Sequence, residues 1–445
     1  MNDISDWDEV SAMKRRIDAE LLTWKASSSR KPLVIHGARQ VGKTYSVLSF
    51  AKNAFERVIY LDFSAQKDLC ALFDGDITPE ALLPQLEAAS GMDFDPATTL
   101  VFFDEVQACP RALTALKYFY ERAPECCVIA AGSLLGVALG RSEYSYPVGK
   151  VDTLTLYPLD FEEFLWAVGD EKLANLIEEA YASNVPLGLH ERALERYRAY
   201  LLVGGLPEAV LAHVEGGRLQ TVRSIQQGIA DAYLADMTKY ASPLDSSKIL
   251  NVWRSVPEQL AKENHKFQYA TIASSARAFQ YEAPINWLHA AGLVSFCYRV
   301  SEGRKPLKAF VEHDFFKLYL LDVGLLTALQ GLDADDLAPA SDKGSRFRGG
   351  VAENYVMQQL RASGVEPFYW GTASKAEVDF VVQLEGDGAI PIEVKSGGNV
   401  SARSLEAYRK AYDPPVVLRL STKNFGLERG IKSVPLYAAH CIGRR

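Results

Sequence analysis

One short stretch of the sequence has the residue types and spacing that bind phosphate. Residues 32–44 read PLVIHGARQVGKT, an apolar run followed by a glycine-rich turn. Its glycines let the backbone curl so that successive N–H groups point at phosphate oxygens, while Lys43 can reach the β- and γ-phosphates and Thr44 can bind Mg²⁺. A turn with incidental glycines is the alternative. The stretch predicts an ATP·Mg²⁺ site formed by Gly37, Ala38, Arg39, Gln40, Val41, Gly42, Lys43 and Thr44.

Two further strand ends carry the acidic and polar groups that nucleotide hydrolysis needs. The run TLVFFDEVQ (99–107) is an apolar strand pattern ending in Asp104 and Glu105. A nucleotide-bound Mg²⁺ needs a nearby carboxylate, which suits Asp104, and hydrolysis needs a base that polarises water, which suits Glu105. The next apolar run, CCVIAAGS (126–133), ends in Ser133. The three strand ends together predict a site that hydrolyses nucleotide.

Taken together, these motifs resemble AAA-type P-loop ATPases. The resemblance implies that Ser133 lies near the γ-phosphate, where that class places a polar residue. In GRSEYSYPVGKV (140–151), Arg141 and Lys150 could approach the nucleotide in cis or from a neighbouring subunit, and a solvated surface charge is the alternative for each. The segment LLVGGLPEAV (201–210) resembles the Gly-x-Pro element with which STAND-class ATPases touch nucleotide from their lid. A helix C-cap followed by proline is the alternative there.

A second group of charged residues lies near the C-terminus. The segment EVDFVVQLEGDGAIPIEVK (377–395) predicts two strands joined by a Gly-Asp-Gly turn. Centring the turn on Gly386 pairs Asp379 with Glu393, and the period of two then projects both carboxylates and Lys395 from one face. Two carboxylates and a lysine in proximity can hold Mg²⁺ or Mn²⁺ and serve an attacking water.

A predicted helix adds a third carboxylate to this group. Glu353 lies beside an apolar stripe in FRGGVAENYVMQQL (347–360). The order of these residues, a glutamate in a helix followed by Asp and then by Glu-x-Lys, resembles that of the PD-(D/E)xK nuclease superfamily. The proline expected before the first Asp is absent. The resemblance implies that Glu353 and Lys395 are catalytic and that Asp379 and Glu393 bind the metal. An exposed salt-bridged hairpin, or a nuclease fold without its chemistry, are the alternatives.

The segment between these two groups resembles a winged helix. YATIASSARAFQYEAPINWLHAAGLVSFCYRV (269–300) predicts helix, turn, helix and strand, with Pro284 in the first turn of the second helix. SEGRKP (301–306) then predicts a hairpin turn with Arg304 and Lys305 at its tip. Such a module can place its second helix in a DNA groove and touch phosphates with the wing, or it can only pack against neighbouring domains.

The pattern of apolar runs predicts an α/β fold. Runs at Leu33–Ile35, Val58–Leu61, Leu100–Phe103 and Cys127–Ala131 fit the buried strands of a parallel sheet. The predicted organisation is a P-loop ATPase core with a parallel sheet, a helical lid, a winged-helix domain, a linker and a PD-(D/E)xK nuclease-like α/β domain. The corresponding ranges are 1–155, 156–245, 246–330, 331–350 and 351–445.

Composition and charge limit the class of protein. With 445 residues, 48% hydrophobic and 23% charged, the chain predicts a globular protein of several domains. No signal peptide and no run of 18 apolar residues is present, and six cysteines form no C-x-x-C pair, which favours a cytoplasmic protein without membrane contact. Residues 1–245 hold 23 basic and 35 acidic residues (−12), and residues 246–445 hold 25 and 21 (+4). The basic second half is compatible with nucleic acid.

From about residue 10 to residue 440 the chain resembles one prokaryotic family of AAA-type ATPases with a helical lid, a winged helix and a C-terminal nuclease-like domain of unknown function. The matching motifs include GARQVGKT, FFDEVQ, AAGS, LVGGLP, FKLYLLDVGLL and AEVDFVV with PIEVKSG. The leading hypothesis is a Mg²⁺-dependent ATPase that acts on nucleic acid, DNA being favoured over RNA, with self-association through the ATPase domain as a further expectation. The alternative is a STAND-like nucleotide switch that regulates a protein partner through a catalytically silent nuclease fold.

Overall fold

The structure is a computed structural model. The chain divides into two compact units, the first comprising residues 1–157 and 290–292 and the second residues 158–289 and 293–445. The finer division into five segments remains a prediction. The structure describes residues 13–133, 135–138, 146–241, 243–262, 265–338, 345–372, 376–386, 388–396 and 403–444.

The first unit is built around a five-stranded parallel sheet. Its strands are β1 (Leu33–His36), β2 (Arg57–Asp62), β3 (Thr99–Asp104), β4 (Cys127–Ala131) and β5 (Asp152–Thr155). Its helices are α1 (Arg16–Ala26), α2 (Lys43–Ala54), α3 (Pro79–Ser90), α4 (Pro110–Arg122) and α5 (Leu135–Ala138). The four apolar runs picked out in the sequence all lie in β1–β4, so their prediction as buried parallel strands is confirmed.

Strand order places the predicted nucleotide residues at one edge of this sheet. The order is β2-β3-β4-β1-β5, and every pair is parallel. The carboxyl ends of parallel strands meet at a common edge, where open α/β sheets bind their ligands. The glycine-rich turn after β1 and the acidic residues after β3 therefore share this edge. Every residue of β3 and β4 is buried, and the surrounding core is largely aliphatic and aromatic.

The second unit combines helices with a mixed sheet. The helices are α6 (Phe161–Ala167), α7 (Glu171–Ser183), α8 (His190–Val203), α9 (Pro207–Val214), α10 (Leu219–Tyr240), α11 (Pro243–Leu260), α12 (Tyr269–Ile272), α13 (Ala278–Ala290), α14 (Val323–Leu329), α15 (Ala334–Leu337), α16 (Ser345–Ala362) and α17 (Arg403–Tyr412). The strands are β6 (Val294–Val300), β7 (Val311–Leu320), β8 (Phe368–Gly371), β9 (Glu377–Leu384), β10 (Gly388–Lys395), β11 (Leu418–Ser421), β12 (Gly426–Glu428) and β13 (Ile431–Pro435).

The predicted wing strands and the predicted nuclease-like strands form one sheet of eight strands. Its order is β12-β13-β11-β10-β9-β8-β6-β7. The β6–β7 hairpin joins through β6, which pairs in parallel with β8, Arg299 opposite Tyr369. The two parts also share a hydrophobic core that contains Leu307 from the hairpin and Trp370 from β8. The sheet thus contains strands from both sides of the predicted linker at 331–350.

Local sequence explains two helix boundaries in this unit. Helix α13 begins at Ala278, so the prediction of Pro284 in its first turn is wrong. The helix begins earlier because the Gln280 side chain accepts a hydrogen bond from the Arg277 N–H at 3.0 Å, which caps the first turn. Helix α14 begins after Asp322, whose carboxylate accepts from the Leu325 N–H at 2.8 Å. In the described part of the chain, no helix has the length and apolar character needed to cross a membrane.

Candidate functional site

The turn after β1 forms a tight loop that leads into α2. Gly42 precedes the helix with φ 95°, in the left-handed region that favours glycine, and Gln40 has φ 63°. A Cβ atom added to Gly37 would lie 2.3 Å from the Leu156 carbonyl oxygen, so only glycine fits there. These constraints leave the loop N–H groups at the N-terminus of α2, which is the geometry that favours anions.

Lys43 lies inside this loop. Its Nζ atom donates to the carbonyl oxygens of Gly37 and Ala38 at 3.0 and 2.7 Å. Burial lowers the pKa of Lys43 to about 8, although the nearby Glu105 and Asp104 carboxylates act in the opposite direction. A cation at low solvent exposure, whose hydrogen bonds to the described residues go to two carbonyl oxygens, is suited to bind phosphate oxygens.

A buried arginine, Arg15, donates hydrogen bonds to the backbone of the phosphate loop and of Tyr157. The Arg15 guanidinium donates to the Val41 carbonyl at 3.1 Å and to the Tyr157 carbonyl at 2.8 Å. Val41 is itself fully buried, whereas Arg39 is exposed. Arg15 was missed by sequence reasoning, because nothing in its local sequence indicates a bond to a residue 26 positions away.

Thr44 and Asp104 meet at the predicted Mg²⁺ position. The Thr44 hydroxyl donates to Asp104 Oδ2 at 2.6 Å, and the Tyr60 hydroxyl approaches the same oxygen at 3.3 Å. Burial raises the pKa of Asp104 to about 6, and the neighbouring Glu105 carboxylate adds to this effect. A hydroxyl and a buried carboxylate facing each other form an oxygen donor set that fits Mg²⁺, which keeps several waters as ligands.

Glu105 and Ser133 also come together. The Ser133 hydroxyl donates to Glu105 Oε2 at 3.2 Å, and the Gln107 amide donates to the same oxygen. Glu105 has φ 49° and ψ 43°, a left-handed conformation that costs a non-glycine residue energy and occurs preferentially at functional sites. The structure therefore brings the glycine-rich loop, Asp104, Glu105 and Ser133 to one edge of the sheet.

The structure describes Lys150 and the LVGGLP segment, which the sequence also singled out. Lys150 Nζ lies 3.1 Å from Glu121 Oε1, and Arg141 lies outside the described residues. Gly204 ends α8 with φ 74°, and Pro207 is the first residue of α9. The Gly205 N–H donates to the buried Asp322 carboxylate at 2.6 Å. The helix C-cap followed by proline is thus the arrangement found for LVGGLP.

The predicted nuclease-like residues lie on the predicted elements. Glu353 is in α16, and Asp379 lies in β9 while Glu393 and Lys395 lie in β10. The β9–β10 register has Ile392 opposite Phe380, which is the predicted register centred on Gly386. Lys395 Nζ lies 2.5 Å from Glu393 Oε1. The hairpin prediction, including its register, is confirmed.

Burial and neighbouring charges shift the pKa values of Asp379 and Glu393 in this second cluster. The pKa of Asp379 is raised well above its usual range by burial and by the negative charges of Glu353 and Glu393. Burial also raises the pKa of Glu393, although Lys395 opposes the effect. Asp379 accepts a hydrogen bond from the Val394 N–H at 2.8 Å. The positive charge of Lys395 therefore opposes part of the effect of burial on Glu393.

Side chains of a histidine, a lysine and a tyrosine contact the Glu353 carboxylate. Its Oε1 lies 3.0 Å from His265 Nδ1, and its Oε2 lies 3.3 Å from Lys317 Nζ and 2.7 Å from the Tyr319 hydroxyl. Burial alone would raise the pKa of Glu353, but Lys317 and His265 lower it well below its usual range. Sequence reasoning missed Lys317 and Tyr319, although both belong to the FKLYLLDVGLL motif.

This cluster is not assembled as a metal site. Among the residues that the structure describes, no three or more His, Cys, Asp or Glu side chains are grouped so that they could hold a metal ion. Both oxygens of Glu353 already have partners, and Asp379 accepts from the backbone. As arranged, the residues do not fit the predicted Mg²⁺ or Mn²⁺ ion. Lys317 lies against Glu353 and Lys395 lies against Glu393, and both supply positive charge there.

The tip of the β6–β7 hairpin contacts the rest of the second unit. The Tyr408 hydroxyl of α17 donates to the Gly303 carbonyl at 2.6 Å, and the Leu307 N–H donates to Gln383 of β9 at 3.0 Å. Arg304 forms an ion pair with Glu302 and remains 65% exposed. The loop is thus held on one side while its cations face solvent.

Three family models match parts of the chain. Residues 29–165 match an AAA domain, residues 194–336 a domain of unknown function (DUF8612) and residues 348–439 a domain of unknown function (DUF4143). The first match, together with the parallel sheet and its phosphate loop, supports an AAA-type P-loop ATPase domain. A sequence search of curated proteins found no match.

Solved structures similar to the chain include three that contain ORC proteins. These are the Aeropyrum pernix ORC2 protein in ADPNP–ADP complexes (13% identity, 74% of this chain and 96% of that chain, TM-score 0.35), the Aeropyrum pernix ORC1 protein in complex with DNA (11%, 71%, 91%, 0.28) and Drosophila ORC bound to DNA (13%, 73%, 89%, 0.28). At these TM-scores the likeness carries no argument about function.

Proposed function

We propose that the protein is a Mg²⁺-dependent ATPase that acts on nucleic acid. The observation that carries the ATPase proposal is the 2.6 Å hydrogen bond between Thr44 and Asp104 beside Lys43, at the end of a glycine-constrained loop. It joins residues 60 positions apart in the sequence. The bond links the metal-binding hydroxyl and the carboxylate that a nucleotide-bound Mg²⁺ requires, next to the cation that binds the β- and γ-phosphates.

Each residue of the site has a distinct role in this proposal. The N–H groups of the loop from Gly37 to Gly42 bind the phosphates, and Lys43 neutralises the β- and γ-phosphates. Thr44 and Asp104 hold Mg²⁺, which offsets the charge that develops on the phosphate oxygens. Glu105, oriented by Ser133, accepts a proton from the attacking water. With ATP bound, the single O–H of Ser133 turns from Glu105 to the γ-phosphate, and the Gln107 amide remains as the donor to Glu105.

Positive charge in residues 246–445 supports nucleic acid as the partner. The +4 balance of residues 246–445 contrasts with −12 for the rest of the chain. Arg304 and Lys305 are exposed at the hairpin tip, where the contact between Tyr408 and Gly303 fixes the loop. Cationic side chains on a loop whose backbone is fixed are suited to contact backbone phosphates, which DNA and RNA share. Self-association through the first unit belongs to the same proposal.

Replacing both Arg304 and Lys305 by alanine is expected to weaken DNA binding and to flatten its salt dependence. Each lost phosphate contact lowers the slope of log K against log salt by about one unit. The measurement is fluorescence anisotropy with duplex DNA at several salt concentrations. The matched control replaces Lys172 and Arg218, two exposed cations on other parts of the second unit, and should keep the slope. An unchanged slope in the first variant would assign the hairpin to protein packing alone.

The C-terminal part is proposed to have a nuclease-type fold, supported by the placement of Glu353 on α16 and of Asp379, Glu393 and Lys395 on the β9–β10 hairpin. In the metal-dependent form of this hypothesis, DNA is cleaved with Mg²⁺ or Mn²⁺ and Glu393→Ala removes the activity. The ion pairs of Glu353 and Glu393 favour the other form, a catalytically silent nuclease fold. DNA cleavage that is retained in the Lys43→Ala variant and lost in the Glu393→Ala variant would support the metal-dependent form.

A further inference from the structure

Two cysteines of the first unit are far apart in the sequence and close together in the fold. Cys70 lies in the 3₁₀ helix Lys67–Phe73, and Cys109 is the residue before α4. The Cys70 Sγ atom lies 3.7 Å from the carbonyl oxygen of Ala108. Because the peptide unit that joins Ala108 to Cys109 is planar and of fixed size, the Cys70 sulfur lies within about 6.5 Å of the Cys109 Cα atom.

The two thiols share one hydrophobic core and differ in exposure. Cys109 is a buried member of that core, and Cys70 packs against it. All six cysteines lie in the described residues, and Cys70 alone is half-buried while the other five are buried. Burial raises the pKa of the Cys109 thiol to about 12, and the neighbouring Cys70 thiol adds to this effect. Cys70 is therefore the thiol that a reagent in solvent reaches first.

Backbone contacts fix the two segments against each other. Arg111, in the first turn of α4, donates to the Gly75 carbonyl at 2.7 Å just beyond the 3₁₀ helix. The Ala108 N–H donates to the Glu105 carbonyl at 2.9 Å and closes the turn that runs from Glu105 to Cys109. A covalent bond to Cys109 would thus join this turn to the 3₁₀ helix.

We propose that Cys70 and Cys109 form a disulfide in the folded protein under oxidising conditions, a redox-sensitive link between the 3₁₀ helix and the turn that carries Glu105. The oxidant is a small-molecule disulfide such as oxidised glutathione. The Cys70 thiolate attacks one of its sulfur atoms and releases one glutathione thiolate. Cys109 then loses its proton to water and attacks the Cys70 sulfur of the mixed disulfide, which releases the second glutathione thiolate. Two protein thiols are oxidised, and one glutathione disulfide is reduced to two thiols.

The inference goes beyond ATP hydrolysis and does not rest on it, because its measurement is the number of free thiols. Folded full-length protein without nucleotide is equilibrated in glutathione buffers of increasing oxidised fraction. The free thiols are then alkylated and counted by mass spectrometry after unfolding. The count is expected to fall from six to four, with Cys70 and Cys109 recovered in one cross-linked peptide pair, and dithiothreitol should restore all six.

Cys70→Ser should keep its remaining five thiols in the same buffers. The matched control is Cys126→Ser, which removes a buried cysteine of the same unit and should still lose two thiols. The proposal is overturned if the wild type keeps six thiols, if the lost thiols are those of other cysteines, or if the link forms only after the protein is unfolded. Glutathione that remains attached to Cys70 without the internal link would overturn it as well.

Discussion

Replacing Lys43 by alanine is expected to lower ATP hydrolysis by about 10²–10³-fold, the cost of losing one buried electrostatic stabiliser. Lys43 contacts only the carbonyl oxygens of the loop among the bonds described, so its charge is available for phosphate. ATP binding should weaken together with turnover, since Lys43 binds the phosphates of the ground state as well. The measurement is steady-state phosphate release with Mg²⁺, combined with calorimetric titration of nucleotide.

The matched control is Lys52→Ala, which removes a lysine from the last turn of the same helix. It should keep full activity, and thermal unfolding should show both variants to be folded. Lys43→Met, which retains part of the aliphatic stem, separates loss of charge from loss of packing. Wild-type turnover in Lys43→Ala and Lys43→Met would remove Lys43 from the site and, with it, the interpretation of the loop.

Glu105→Gln is expected to separate nucleotide binding from hydrolysis. The amide keeps the shape of the side chain, and Asp104 and Thr44 still hold the metal, so the Kd for ATP should stay within a few-fold of the wild-type value. The proton acceptor is lost, and general bases contribute about 10²–10⁴-fold, so kcat should fall by that factor. Single-turnover hydrolysis and ATP titration on the same preparation measure both quantities.

The control for this variant is Glu125→Gln, which neutralises an exposed glutamate before β4 in the same unit. Its kcat should equal that of the wild type. If Glu105→Gln turned over ATP at a rate within threefold of the wild type, Glu105 would not be the base. Loss of ATP binding in Glu105→Gln would instead assign Glu105 a structural role through Ser133 and Gln107.

Local patterns in the sequence predicted much of this site. The phosphate loop follows from the spacing of Gly37, Gly42 and Lys43, because only such a loop leaves consecutive N–H groups free for phosphate. The importance of Asp104 and Glu105 could be predicted because they end a fully apolar run, which indicates a buried strand. The β9–β10 register followed from one turn position, since a strand repeats every two residues. Each of these features depends on residues close together in the sequence.

The features that were missed depend on residues far apart. Lys317 reaches Glu353 across 36 positions, and Arg15 reaches Tyr157 across 142. Neither pair produces a repeating pattern in the sequence. A lysine in an apolar strand therefore looks the same in the sequence whether or not it has a distant partner. The pairing of β6 with β8 was missed for the same reason. The hairpin pattern after α13 led to the prediction of a wing. Its neighbour in the sheet, β8, comes some 70 residues later in the sequence.

The ATPase proposal is tested most directly by ATP turnover of the full-length wild-type protein in Mg²⁺, measured with and without duplex DNA and repeated in EDTA. The account predicts hydrolysis that requires Mg²⁺ and that accelerates when DNA is added. Slow hydrolysis with tightly held nucleotide and no response to DNA would favour the switch that regulates a protein partner. No hydrolysis in Mg²⁺, with or without DNA, by a preparation shown to be folded would contradict the account.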